Sequence, residues 1–272
     1  VAGAGNSVFH PADFTILNRR VSKPRLGHAF SVHGLSGNLG WAATPLLMTA
    51  VATWINWRAA AFSAAVVAVI SGVLLYALQG ALDDDAVDGA GNKKAGDHPP
   101  VATLSVLRSP AVLLCFVFFF LITAAFGALQ NFSAAALKAM YGLSLATSAS
   151  CLSAYVLGGA AGIAAGGFLA TKRAQEQIIA VCITFGACMS LLLASGVAAD
   201  WAILPLMALM GAGVGVAGPS RDLLVRKAAT KGLGEASYGR VYGFVYSGLD
   251  TGLATAPLIF GTIMDGGQYP ML

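Results

Sequence analysis

The chain of 272 residues is 57% hydrophobic and only 10% charged, with a formal net charge of +4 and a mean hydropathy of +0.75. A water-soluble domain carries about a quarter charged residues, so this composition excludes an ordinary soluble core and calls for lipid. The four cysteines (Cys115, Cys151, Cys182 and Cys188) lie inside apolar stretches with neither disulfide nor metal-ligand spacing, and the positive charge sits between the stretches, so a disulfide scaffold and nucleic-acid binding are not expected.

Eight apolar stretches follow in order, at about 1–18, 28–52, 59–80, 110–132, 144–170, 177–197, 202–219 and 241–263. All but the first approach or exceed the ~20 residues that carry a helix across a bilayer, and none alternates as a barrel strand does. An all-α polytopic membrane protein is predicted. The first stretch holds His10 and Pro11, and His10 lies about 13 Å along the helix from Arg19. Asp13 is within reach of water or Arg19. The second holds His33, at a similar depth of about 12 Å from Arg25, with Asn38 and Pro45 beyond it. Polar groups inside a span are costly and mark function by default. His10 and His33, on adjacent antiparallel helices, are therefore candidates for binding solute or a proton; the competing expectation is neutral imidazoles bonded to helix carbonyls.

An acidic, proline-containing run, Asp83 to Pro100, separates the third stretch from the fourth and reads as a flexible link. The organisation expected is a remainder of an N-terminal bundle at 1–80, a linker at 81–108 and a second bundle at 109–272. Phe116 to Phe120 are expected to face lipid. Gln130 and Asn131 stand near the end of the fourth stretch as candidate solute-orienting amides. Gly158, Gly162 and Gly166 recur every four residues and form one close-packing face. Pro219 and Pro257 join Pro11 and Pro45 as helix-kinking candidates. Arg221 reads as an ordinary positive-inside residue, with attraction of an anion as the alternative. Asp250 stands about 16 Å past Gly239, a carboxylate that must be protonated or paired. It is a proton-binding candidate, or one half of a brace with Asn38.

The polar connections place Arg19, Arg20, Lys23, Arg25, Lys93, Lys94, Arg108, Lys172, Arg173, Arg221, Arg226, Lys227, Lys231 and Arg240 on one side. Only Arg58 and Lys138 fall on the other. The positive-inside rule makes the first side cytoplasmic, with loops at 18–27, 81–108, 171–176 and 221–240. The chain begins inside an apolar run and ends after a turn-like GGQYP, so it reads as a fragment of a longer protein.

Two segments repeat. Gly3, Gly5 and Pro11 recur as Gly211, Gly213 and Pro219, displaced by 208, and Gly27, Gly40, Pro45 and Leu46 recur as Gly239, Gly252, Pro257 and Leu258, displaced by 212. The copies lie six spans apart, so each helix crosses in the same direction as its partner, the mark of parallel repeats.

This pattern resembles the major facilitator superfamily (MFS), and NWRAAF (Asn56 to Phe62) and GGFLATKRA (Gly166 to Ala174) are similar to its external turn before helix 6 and its second cytoplasmic loop motif. Thr171 replaces the usual acidic residue of that motif. The resemblance implies a two-bundle fold with helices 4 to 11 of twelve present, three missing before Val1 and one after Leu272. FHPAD (Phe9 to Asp13) is similar to the fosmidomycin-resistance group of bacterial permeases. GLSGNLGWAATP (Gly34 to Pro45) lacks the Gly-Pro pair of drug antiporters, and the helix after Arg108 lacks the arginine of organophosphate exchangers. The implied function is alternating-access transport of a small solute, with H+ as expected coupling ion, by a monomer in the plasma membrane of a bacterium. A non-transporting sensor and a membrane-embedded enzyme stay as alternatives. HExxH, GxSxG, P-loop and paired-carboxylate motifs are lacking, and the histidines lack ligand spacing on one helix, so neither cofactor nor metal is expected.

Overall fold

A computed structural model describes residues 8–82 and 103–271, so Gly3, Gly5 and the Asp83–Pro100 run lie outside the described residues. Among the described residues every regular element is helical. The helices are α1 (Phe9–Arg20), α2 (Leu26–Trp54), α3 (Trp57–Ala77), α4 (Gln79–Leu82), α5 (Thr103–Leu107), α6 (Pro110–Tyr141), α7 (Leu145–Ala170), α8 (Gln175–Ala194), α9 (Asp200–Gly232) and α10 (Tyr238–Asp265).

Local chemistry sets the boundaries. The Asn56 side chain accepts from the Ala59 amide at 2.9 Å and starts α3, and Ser144 accepts from Thr147 at 3.1 Å and starts α7. Pro110 occupies the first turn of α6, where its missing N–H costs nothing, and Gly142 ends that helix at φ 66, in the left-handed region that glycine adopts without strain.

Among the described residues five helices (α3 and α6 to α9) are both long and apolar enough to cross a membrane, against eight stretches expected. The other three differ for identifiable reasons. Only 12 residues of α1 are described, while α2 and α10, at 29 and 28 residues, are long enough but dilute their apolar residues with histidine, serine, threonine, asparagine or aspartate.

The repeat reappears in the element boundaries. α1 ends at Arg20 and α9 at Gly232; three-residue 3₁₀ turns follow at Lys23–Arg25 and Glu235–Ser237; α2 begins at Leu26 and α10 at Tyr238. Every boundary is displaced by 212. The 208 displacement of Pro11 and Pro219 is shorter by four, so the second copy has one extra turn between its proline and its helix end. Correspondingly, the expected loop at 221–240 is mostly helix: α9 runs on to Gly232 and only Leu233–Ser237 connects it to α10. Pro11 falls in the first turn of α1 as described, position 45 lies within α2, and Pro205, Pro219 and Pro257 lie inside helices.

Two compact units result, one of Val1–Gly34 with Pro99–Leu272, the other of Leu35–His98. In the first, α7 and α9 pack backbone to backbone. A Cβ on Gly158 or Gly162 would collide with the Ala208 or Ala212 carbonyl, one on Gly166 would stand 2.5 Å from that of Val216, and Gly211 and Gly215 return the contact against Tyr155 and Gly159. α10 packs on α6 in the same way. A Cβ on Gly248 would come within 2.7 Å of the Phe116 carbonyl, Gly252 sits against Thr123 and Phe120, and the Thr123 hydroxyl donates to the Leu249 carbonyl at 3.0 Å. The first turns of α2 lie on α7, where the Ser31 hydroxyl donates to the Ile163 carbonyl at 2.6 Å and Thr171 fills the space beside Gly27. Lys227 on α9 reaches Glu176 on α8 at 2.7 Å. α1 packs on α10.

The expectation that Phe116 to Phe120 face lipid is corrected. Phe119 is fully buried and Phe116 stacks on Phe244 with ring centroids 4.8 Å apart, while Leu114, Val117 and Leu121 are the exposed side chains there. At 3.6 residues per turn, five consecutive residues cover more than one face. In the second unit, α3 buries Ala60 and exposes an apolar surface of Phe62, Val66, Val69, Ile70 and Val73 suited to lipid.

Replacing Gly162 with Val should force α7 from α9 and lower the unfolding midpoint in detergent by several degrees, since overpacking costs about 1–3 kcal/mol. Gly72→Ala on α3, where an added Cβ meets nothing within 4 Å, should leave the midpoint unchanged. Equal midpoints for the two variants would contradict this packing.

Candidate functional site

His10 and Asp13 are three residues apart on α1 and share a face. The Asp13 Oδ2 lies 3.7 Å from His10 Nδ1 and 3.4 Å from His33 Nε2 on α2. The two imidazoles stand edge to face with centroids 6.4 Å apart. All three side chains are about one third exposed, and their donor atoms all fall within 4.8 Å of one another. His10 Nδ1 and Asp13 Oδ1 are buried and have no hydrogen-bond partner among the described residues. The cluster draws on two helices, which is why ligand spacing along one helix gave no sign of a group capable of holding a metal.

Aromatic packing fixes this cluster against the second repeat. Phe14 stacks on Tyr242 at 4.5 Å with the rings 9° from parallel, and it also touches Phe30 and His33. His10 lies 4.3 Å from the Tyr246 ring. From Tyr246 the polar contacts continue. Its hydroxyl donates to Asp222 Oδ1 at 3.1 Å, Arg221 Nε donates to the same oxygen at 3.2 Å, and the Tyr242 hydroxyl donates to the Asp222 carbonyl at 2.9 Å. The Arg221 guanidinium lies 4.4 Å over the Phe119 ring. Arg221 is thus not a loop charge: it sits within α9, three quarters buried, with Asp222 almost wholly so. The arrangement can hold an exchangeable cation at the His–Asp–His end. At the other end it keeps a buried ion pair in which the Asp222 carboxylate accepts two hydrogen bonds and the Asp222 backbone carbonyl a third.

Asp222 and Tyr246 escaped the reading of the sequence. Two signals carry them: the 212 displacement puts Asp222 at the position of His10, and Tyr238, Tyr242 and Tyr246 recur every four residues on α10.

The remaining candidates are elsewhere. Asn38 belongs to the other compact unit. Gln130 is exposed, and the Asn131 amide donates to the Gly127 carbonyl at 2.7 Å within its own helix. Asp250 stands one turn beyond Tyr246, exposed and without an ion pair among the described residues. It shares that side of α10 with Ser247 and Thr251, while Gly248, Gly252 and Ala256 are buried on the opposite side.

Long apolar helices, a helix–turn–helix unit repeated in parallel and polar side chains gathered where the copies meet describe a membrane transport protein. The profile of the Major Facilitator Superfamily matches residues 1–257, and the chain belongs to that family of multi-pass membrane transporters. No curated protein and no solved structure matches the chain.

Asp222→Ala would strip a buried guanidinium of its counter-charge and the Tyr246 hydroxyl of its carboxylate acceptor, while the backbone carbonyl that accepts from Tyr242 stays. It should cost about 3 kcal/mol in unfolding experiments, whereas replacing Arg221 and Asp222 together with leucines should recover much of that loss. A single variant as stable as the parent would show that the pair is not a structural tie.

Proposed function

We propose that the protein is a secondary active transporter that moves a small solute by alternating access, driven by H+. The observation that carries this reading is the two-sided character of α10. Its glycine side is held on α6, and its other side exposes Ser247, Asp250 and Thr251 in the middle of a helix with no ion pair at the carboxylate among the described residues. In hydrocarbon such a side is tolerated only where it borders water or bound solute. Asp250 is the proposed proton carrier. At the level of Tyr246, one turn away, α1 brings His10 and Asp13 and α9 brings Arg221 and Asp222. Gln130 and Asn131 are the proposed solute-orienting amides, and His10 belongs to the seam where α1 meets α10, with His33 beside it on α2.

That seam closes one end of the pathway. The Lys227–Glu176 pair and the contact of Gly27 with Thr171 gather segments that carry most of the basic residues, which supports placing the connections near 18–27, 171–176 and 233–237, with the adjoining end of α9 and the 81–108 linker, on the cytoplasmic side. On this reading the closed end is cytoplasmic, and transport requires α1 and α10 to part there. We place the protein as a monomer in the plasma membrane, with 1–80 and 109–272 contributing to its two bundles. The likeness of Phe9–Asp13 to fosmidomycin-resistance permeases favours a bacterial setting.

Thermal unfolding in detergent against carboxylates, sugars, amino acids and drugs tests the reading, because a bound solute raises stability by about 2.7 kcal/mol at a hundred times its Kd. For any solute so found, Asp250→Asn should abolish accumulation driven by a pH gradient in proteoliposomes while sparing solute exchange. Undiminished accumulation would remove Asp250 as proton carrier. Binding without flux in the parent protein would favour a sensor.

A further inference from the structure

We infer that His10, Asp13 and His33 form a three-ligand site for a divalent transition-metal ion of the zinc type, joining α1 to α2. The donor set is two imidazole nitrogens and one carboxylate oxygen. These ligands suit zinc and its neighbours, whereas calcium and magnesium prefer oxygen throughout.

The distances separate a metal from a shared proton. A charge-assisted hydrogen bond between imidazole and carboxylate draws the heavy atoms to about 2.7–2.9 Å. Here the Asp13 oxygen stands 3.4 Å from one nitrogen and 3.7 Å from the other. Ligands about 2.0–2.1 Å from a tetrahedral ion lie roughly 3.3 Å from each other, so two edges of the coordination figure are already within a few tenths of an ångström. The third edge, between the imidazoles, is within 4.8 Å.

An independent observation points to the same centre. Among the described residues His10 Nδ1, the nitrogen that faces Asp13 Oδ2, is buried yet makes no hydrogen bond, and leaving such an atom unpaired is costly. An ion among the three residues takes up that imidazole lone pair and faces Asp13 Oδ2. The scaffold is held in advance: Phe14, one residue beyond Asp13, is locked between Tyr242 and Phe30 and touches His33, and the His10 ring rests on Tyr246. One-third exposure leaves access to the ion and room for a water as fourth ligand.

The test uses tag-free protein in detergent, stripped with a chelator, with Zn2+ alone titrated by calorimetry and Co2+ by visible absorption. The parent should bind one Zn2+ per chain, show the intense visible bands of Co2+ in a low-coordinate nitrogen and oxygen site, and gain thermal stability with Zn2+. His10→Ala, His33→Ala and Asp13→Asn should each weaken binding by at least about tenfold, since loss of even an outer-shell partner costs that much. His28→Ala, outside the cluster, should bind like the parent. Asp13→Asn keeps the shape of its side chain, so it tests the site even where a histidine variant fails to fold. Absence of Zn2+ binding up to about 1 mM, or binding that survives all three substitutions, would overturn the assignment. No readout depends on solute transport, so failure here leaves the transporter reading untouched.

Discussion

The close approach of α10 to α6 governs the rest of the structure. Gly248 and Gly252 bring α10 so near that its backbone and that of α6 share a surface, and Thr123 donates across the contact. Association of helices in lipid gains nothing from burying apolar area, so contact of this kind has to come from small residues and polar ties. Once one side of α10 is committed, its rotation is fixed. Tyr242 and Tyr246 then meet α1 and α9, and Asp250 is left on the open side.

The same logic gives the pair α7 and α9 its rigidity and leaves the junction between repeats comparatively polar. Where α7 meets α9, glycines interlock with carbonyls along several turns. Where α1 meets α10, the contact is a stack of rings, two histidines and a chain of hydrogen bonds ending on a buried ion pair. Backbone interlocking resists separation, whereas rings and polar ends can part and be rewetted. On the proposed alternating-access reading, the first type suits the inside of a moving body and the second a gate between states.

The repeat gives this junction a specific character. With boundaries displaced by 212, His10 in the first copy corresponds to Asp222 in the second, and the first copy's His–Asp pair sits across Tyr246 from the second copy's Arg–Asp pair. Parallel repeats therefore do not produce identical halves. Each copy supplies a carboxylate with a nitrogen partner, an imidazole in the first copy and a guanidinium in the second.

The sequence by itself determined that the chain is helical, polytopic and built from parallel repeats, because hydropathy, glycine and proline spacing and the distribution of arginine and lysine are properties of order along the chain. It marked the glycine side of α7 and singled out His10 and His33 within spans. It did not mark Phe119 as core, follow α9 to Gly232, or single out Asp222 and Tyr246, since none of these differs in composition from residues of lesser consequence. Only the tertiary structure decided which helix each glycine side meets, that Asp13 stands between two histidines from different helices, and that Arg221 is held by a buried carboxylate. Those facts depend on the rotation and height of each helix against its neighbour, set by contacts between residues more than a hundred positions apart, as with Thr123 and Leu249, where no local pattern in the sequence can register them.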